Sequence, residues 1–108
     1  MIEEMKLKDV ISLAAALGAN SNHTAYKVGE QYLIRTVTLY YTGRVKQITP
    51  QELVLEEAAW IPDTGRFYDC LKEGKFNEVE PFIDDAIVSR TAIVDATKWG
   101  HKLPSSQK

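Results

Sequence analysis

Tyr40, Tyr41, Arg44 and Lys46 crowd two aromatic rings and two cations into one short stretch, the combination that stacks bases and holds phosphates in single-strand binders. The plainer alternative is that the tyrosines cover the margin of a core while the cations keep a strand soluble. Arg90 offers a further cation, to touch a nucleotide or to pair with Glu52, Asp84 or Asp85 across a subunit boundary. Glu78, Glu80, Asp84 and Asp85 form an acidic segment without calcium-loop spacing or an accompanying histidine, which favours a solvated edge over a cation site. His23 and His101 lie in polar flanks with no partner at zinc spacing. Cys70 sits among helix formers with no catalytic histidine pattern, as a small buried hydrophobe does. Trp60 and Trp99 are expected in the core or at a subunit contact. No nucleophile, base and orienting group fall together, so no enzyme, metal or cofactor is expected.

These side chains must be carried by one domain. The chain has 108 residues, 44% hydrophobic and 26% charged, which is single-domain length and globular composition. A net charge of −2 lacks the basic excess of a duplex-DNA binder. The single cysteine excludes an internal disulfide and fits a reducing, cytoplasmic setting. Val10 to Ala19 is apolar but follows Glu3, Glu4 and Asp9, unlike the basic start of a secretory signal. It also falls short of the ~20 residues needed to span a bilayer, so no membrane partner is expected.

Leu7, Val10, Ile11, Ala14 and Leu17 follow the helical i, i+3, i+4, i+7 rhythm and predict an amphipathic helix over 6–18, stopped at Gly18. Tyr32 to Tyr41 is almost wholly β-branched or aromatic and predicts a strand. Gly43 to Ile48 and Leu53 to Ile61 predict two more, joined as a hairpin at Thr49-Pro50-Gln51. Val45 and Ile48 are both apolar yet three apart, so a bend or bulge is expected between them, and Gly43 suits a crowded, curved sheet. Pro62 to Gly65 signals a turn, and Arg66 to Glu73 a short helix ended by Gly74. Asn77 to Asp85 is acidic and contains Pro81, as an edge strand or loop does. Ala86 to Ser89 and Ala92 to Ala96 predict short strands around Arg90-Thr91. Residues 100–108 have nothing obvious to bury and are expected to be mobile.

Two segments resemble motifs of the Sm-like (LSm) family. Gly43-Arg44-Val45 with Ile48, then Leu53-Val54-Leu55-Glu56-Glu57-Ala58, resembles the first motif, in which a glycine opens a bent strand and an apolar run ends in two acids and an alanine. Ile87 to Val94 resembles the second, centred on isoleucine-arginine-glycine. The resemblance covers 31–97, with an insertion over 62–82. It implies a mainly β fold: a five-stranded bent barrel, preceded by the N-terminal helix and carrying a short insertion helix. It also implies a homo-oligomeric ring, in which the fourth strand of one subunit pairs with the fifth of the next through Ile87, Val88, Ser89, Ile93 and Val94. Many such rings bind single-stranded uridine-rich RNA. Here the family's pocket is altered, with Thr49 at the aspartate position, Glu52 at the asparagine and Thr91 in place of glycine; only Arg90 is kept. An ionised Glu accepts hydrogen bonds but cannot donate them as an Asn amide does. RNA would therefore use a non-standard surface of Arg90, Tyr41, Arg44, Lys46, Thr49 and Glu52; the alternative is a scaffolding oligomer that binds no nucleic acid.

Overall fold

Antiparallel strands cannot be formed from an uninterrupted run of β-branched and aromatic residues unless something turns the chain, and here a threonine does so. The computed structural model describes residues 24–108. Its elements are β1 (Gln31–Thr36), β2 (Tyr40–Ile48), β3 (Glu52–Asp63), α1 (Phe67–Glu73), β4 (Glu78–Pro81), β5 (Ala86–Ser89), a 3₁₀ turn (Arg90–Ala92) and β6 (Ile93–Lys98). The single strand expected over Tyr32 to Tyr41 is thus two strands and a tight turn. The Thr36 amide donates to the Leu39 carbonyl at 2.7 Å, and the Thr36 hydroxyl accepts the Leu39 amide at 3.0 Å. A side chain closes this turn where glycine or asparagine normally would, and its residues keep high strand propensity.

The six strands form one open antiparallel sheet in the order β4-β3-β2-β1-β6, with β5 also on β3. β5 pairs with the first half of β3, from Glu52 to Leu55, and β4 with the second, from Ala59 to Asp63. β4 falls in the segment Asn77 to Asp85 read as an edge strand or loop, and it is additional to the five strands of the expected barrel. The predicted N-terminal helix over 6–18 lies outside the described residues.

The ladder between β2 and β3 slips twice. Between the pairs Val45↔Leu55 and Gln47↔Val54, Lys46 is an extra residue on β2, which explains why Val45 and Ile48 are three apart. Between Thr42↔Ala59 and Arg44↔Glu56, two β3 residues face Gly43 alone, and Glu57 there has a φ of 49°. A Cβ on Gly43 would lie 2.9 Å from Leu55 Cβ, so the close approach of the strands needs glycine.

The Glu57 bulge also switches which side of β3 faces which core. Leu53, Leu55 and Ala58 join Tyr32, Ile34, Val45 and Val88 in one cluster. Ala59 and Ile61 join Leu33, Cys70, Phe76, Val79, Trp99 and Leu103 in another. Tyr32 and Ile34 alternate with Leu33 along β1, so the clusters occupy opposite faces of the sheet. Full burial of each such Leu or Ile contributes about 1.5–3 kcal/mol.

α1 covers the second cluster through Cys70 and ends at Gly74, whose φ is 72° and whose amide donates to the Cys70 carbonyl. The His101 ring packs against Gly74, where a Cβ would come within 2.5 Å of it, and its Nε2 donates to the Leu71 carbonyl at 2.7 Å. Residues 100–108, expected to be mobile, are docked instead. Leu103 is buried in the second cluster, and Lys108 exchanges two 2.9 Å backbone hydrogen bonds with Val79 on β4. The apolar face beneath them was not apparent, because it is assembled from four separate elements.

Candidate functional site

The turn between β2 and β3 is organised by Thr49. Its amide donates to the Glu52 carbonyl at 2.9 Å, and its hydroxyl accepts the Glu52 amide at 2.9 Å and the Gln51 amide at 3.3 Å. The 3₁₀ turn brings Arg90 to the same tip, where its backbone amide donates to the Gln51 carbonyl at 2.9 Å and its Nη1 to the Thr49 carbonyl at 2.8 Å. Thr49, Glu52 and Arg90 therefore do come together. Within the chain, the side-chain partner of Arg90 is a main-chain oxygen. It staples the hairpin to the β5–β6 corner, a charge-assisted bond of the stronger kind.

The other members of the expected RNA surface are each engaged within the chain. Arg44 pairs with Glu57 and donates to Gln31 Oε1 at 3.1 Å. Lys46 pairs with Asp85 at 2.8 Å, and that hydrogen bond holds its ammonium above the usual lysine range. The Tyr41 ring stacks on Phe82, with centroids 6.1 Å apart and planes 17° apart. Two of the three cations thus already face carboxylates, and the aromatic platform is already stacked.

The expected assembly residues divide by burial. Ile87 and Val94 are 65% and 56% exposed, Val88 is buried, and Ile93 packs against the first cluster. The Ser89 hydroxyl lies 2.9 Å from that of Thr91. Among the described residues, β5 pairs only with β3 and β6 only with β1, so each has one unpaired border.

Elsewhere, the chemistry-bearing side chains stay apart. Among the described residues, no three His, Cys, Asp or Glu side chains approach closely enough to hold a metal ion. Cys70 is buried and burial pushes its thiol up, away from nucleophilic use. A groove of about 200 Å³ between α1 and the sheet has Leu33, Tyr40, Phe67 and Leu71 as apolar walls and the Arg35–Asp95 pair at its margin. It gathers no nucleophile and base.

No family model, curated protein or solved structure matches this chain. No helix among the described residues is long and apolar enough to cross a membrane.

One surface is not legible from the local pattern of the sequence. Trp99 is buried, as expected, but Trp60 is partly exposed, flanked in the ladders by Tyr41 and Glu80. Phe82 and Ile83 are also exposed nearby. The available signal was an aromatic-aliphatic pair inside an otherwise acidic loop. The Glu57 bulge hid the rest, because it reverses the alternation that would have turned Trp60 toward the second core.

Proposed function

We propose that this chain is an Sm-like protomer that assembles with copies of itself into a closed homo-oligomeric ring in the cytoplasm, acting as a scaffold and not as an enzyme. The observation that carries this is the corner of β5, the 3₁₀ turn and β6. It joins two strands that, among the described residues, are each hydrogen-bonded on one side only and display Ile87 and Val94 to solvent. Pairing β5 of one copy with β6 of another satisfies both borders and removes an aggregation hazard. Because β5 lies on β3 and β6 on β1, the same corner draws opposite parts of the sheet together, which supports a barrel-like enclosure of the first core.

Single-stranded RNA is the second ligand class that the resemblance implies. It would have to displace Glu57 from Arg44 and Asp85 from Lys46, so the scaffold takes precedence. Light scattering at micromolar concentration is expected to give one species of roughly five to eight subunits, the closed symmetric form. The variant Val94→Asp is expected to lower that mass; a monomer in the unaltered protein would refute the assembly. Labelled oligo-uridine titrated across salt is expected not to bind at physiological ionic strength. Tight binding that weakens as salt rises would restore RNA as the ligand.

A further inference from the structure

The segment 81–85 and residues 103–105 enclose a groove of about 310 Å³. Phe82, Ile83 and Pro104 supply apolar walls, Glu57, Asp84 and Asp85 supply carboxylates, and among the described residues no Lys, Arg or His lines it. Ile83 is 102% exposed and Phe82 42%. The apolar surface continues from Phe82 through the stacked Tyr41 ring to Trp60, the cross-strand neighbour of Tyr41, at 37% exposure. Glu80 stands opposite Trp60 on β4 and adds a further acid to that row. Large apolar side chains grouped in this way on a soluble protein mark an interaction surface.

We propose that this acidic, aromatic groove docks a cationic, apolar-rich peptide segment of a partner protein. Charge complementarity selects that occupant. Glu57 and Asp85 are each held by one cation from outside the groove lining, Arg44 and Lys46, and a carboxylate can accept further hydrogen bonds. Asp84 has no ion-pair partner among the described residues. An arriving lysine or arginine therefore meets an uncompensated carboxylate beside aromatic faces that also attract cations, while its apolar neighbours cover Ile83 and Phe82. A second copy packed face to face would bring like charges together, and an anionic ligand or lipid surface would be repelled. The chain's own first 23 residues contain three acids and two lysines and so lack the complementary charge.

The test uses the full chain and short labelled peptides of alternating lysine–leucine, lysine–serine and glutamate–leucine. Binding is followed by peptide anisotropy and by the emission of Trp60, against the buried Trp99. Only the lysine–leucine peptide is expected to bind with micromolar affinity and shift Trp60 emission, weakening as salt rises. Ile83→Lys and Asp84→Lys, both at exposed positions, are expected to weaken it at least tenfold without altering the circular dichroism spectrum. Val94→Asp is expected to leave the affinity unchanged, which separates this site from the assembly surface. Equal binding of the lysine–serine or glutamate–leucine peptide, no binding of the lysine–leucine peptide, or indifference to Ile83→Lys would overturn the proposal.

Discussion

Gly43→Ala adds one methyl group at the place where the sheet is most tightly folded. The new Cβ would lie 2.9 Å from Leu55 Cβ, 3.3 Å from Leu55 Cδ1 and 3.4 Å from Ala58 Cβ. Carbon atoms rest at about 3.5–4.0 Å, so β2 and β3 must separate by roughly 0.6–1.1 Å at a point where Leu55 is completely buried. Overpacking of that size costs about 1–3 kcal/mol. The backbone at Gly43 has no positive φ, so alanine also restricts the unfolded chain, a gain of about 0.4–1 kcal/mol. The net expectation is a loss of about 1–2 kcal/mol, lowering Tm by roughly 4–16 °C at the 4–8 °C per kcal/mol usual for a domain of this size. Urea denaturation and a thermal scan measure it directly. Leu55→Ala has a burial cost of its own, so the pair is read as a double-mutant cycle: it removes the contact with Cδ1 but leaves the shorter one with Cβ, and the cost of Gly43→Ala measured in the Leu55→Ala background should fall by less than half. A Gly43→Ala protein within about 0.5 kcal/mol of the parent would show that the strands part freely here and would refute the argument.

Two further outcomes are expected. Thr42 is wholly buried and its hydroxyl has no hydrogen-bond partner among the described residues, so Thr42→Val, which keeps the branched shape, should raise stability by about 1 kcal/mol in urea. A loss of similar size would mean the hydroxyl has a partner. Glu30 is held below its ordinary value of 4.5, first by its hydrogen bond with Lys98; because the folded value is the lower one, its contribution is complete above pH 4.5 and disappears as pH falls through that lowered value. Tm measured at pH 7 and pH 3 should accordingly differ less in Glu30→Gln than in the parent; an unchanged gap would contradict the pairing.

Much of the curvature was legible in the residues themselves. The three-residue spacing of Val45 and Ile48 required the bulge at Lys46, and Gly43 marked the close approach of two strands. Gly74 ended α1, and Arg90-Thr91 marked the corner between β5 and β6. These features depend on local rules of period and conformational freedom, which a single sequence displays. Other features are made by partners remote in sequence. Thr36 builds its turn with a hydroxyl, leaving no glycine or proline to read. Arg90 chooses a backbone carbonyl, which residue identities do not advertise. Glu57 takes a left-handed conformation and inverts the alternation beyond it, so Trp60 falls on the other face from the one a regular strand would give it. The pairing of Arg44 and Lys46 with Glu57 and Asp85 has the same origin, since it follows from the two register slips.

The burial of β1 on both sides limits how far this molecule can be simplified. Leu33 points away from Tyr32 and Ile34 and is covered by α1, Trp99 and Leu103. Engineering a minimal version by excising residues 62–82 and the C-terminal strap would therefore strip a layer and not a decoration. Leu33, Ala59 and Ile61 would become one contiguous greasy wall, and the pared protein would be expected to precipitate more readily than the intact one.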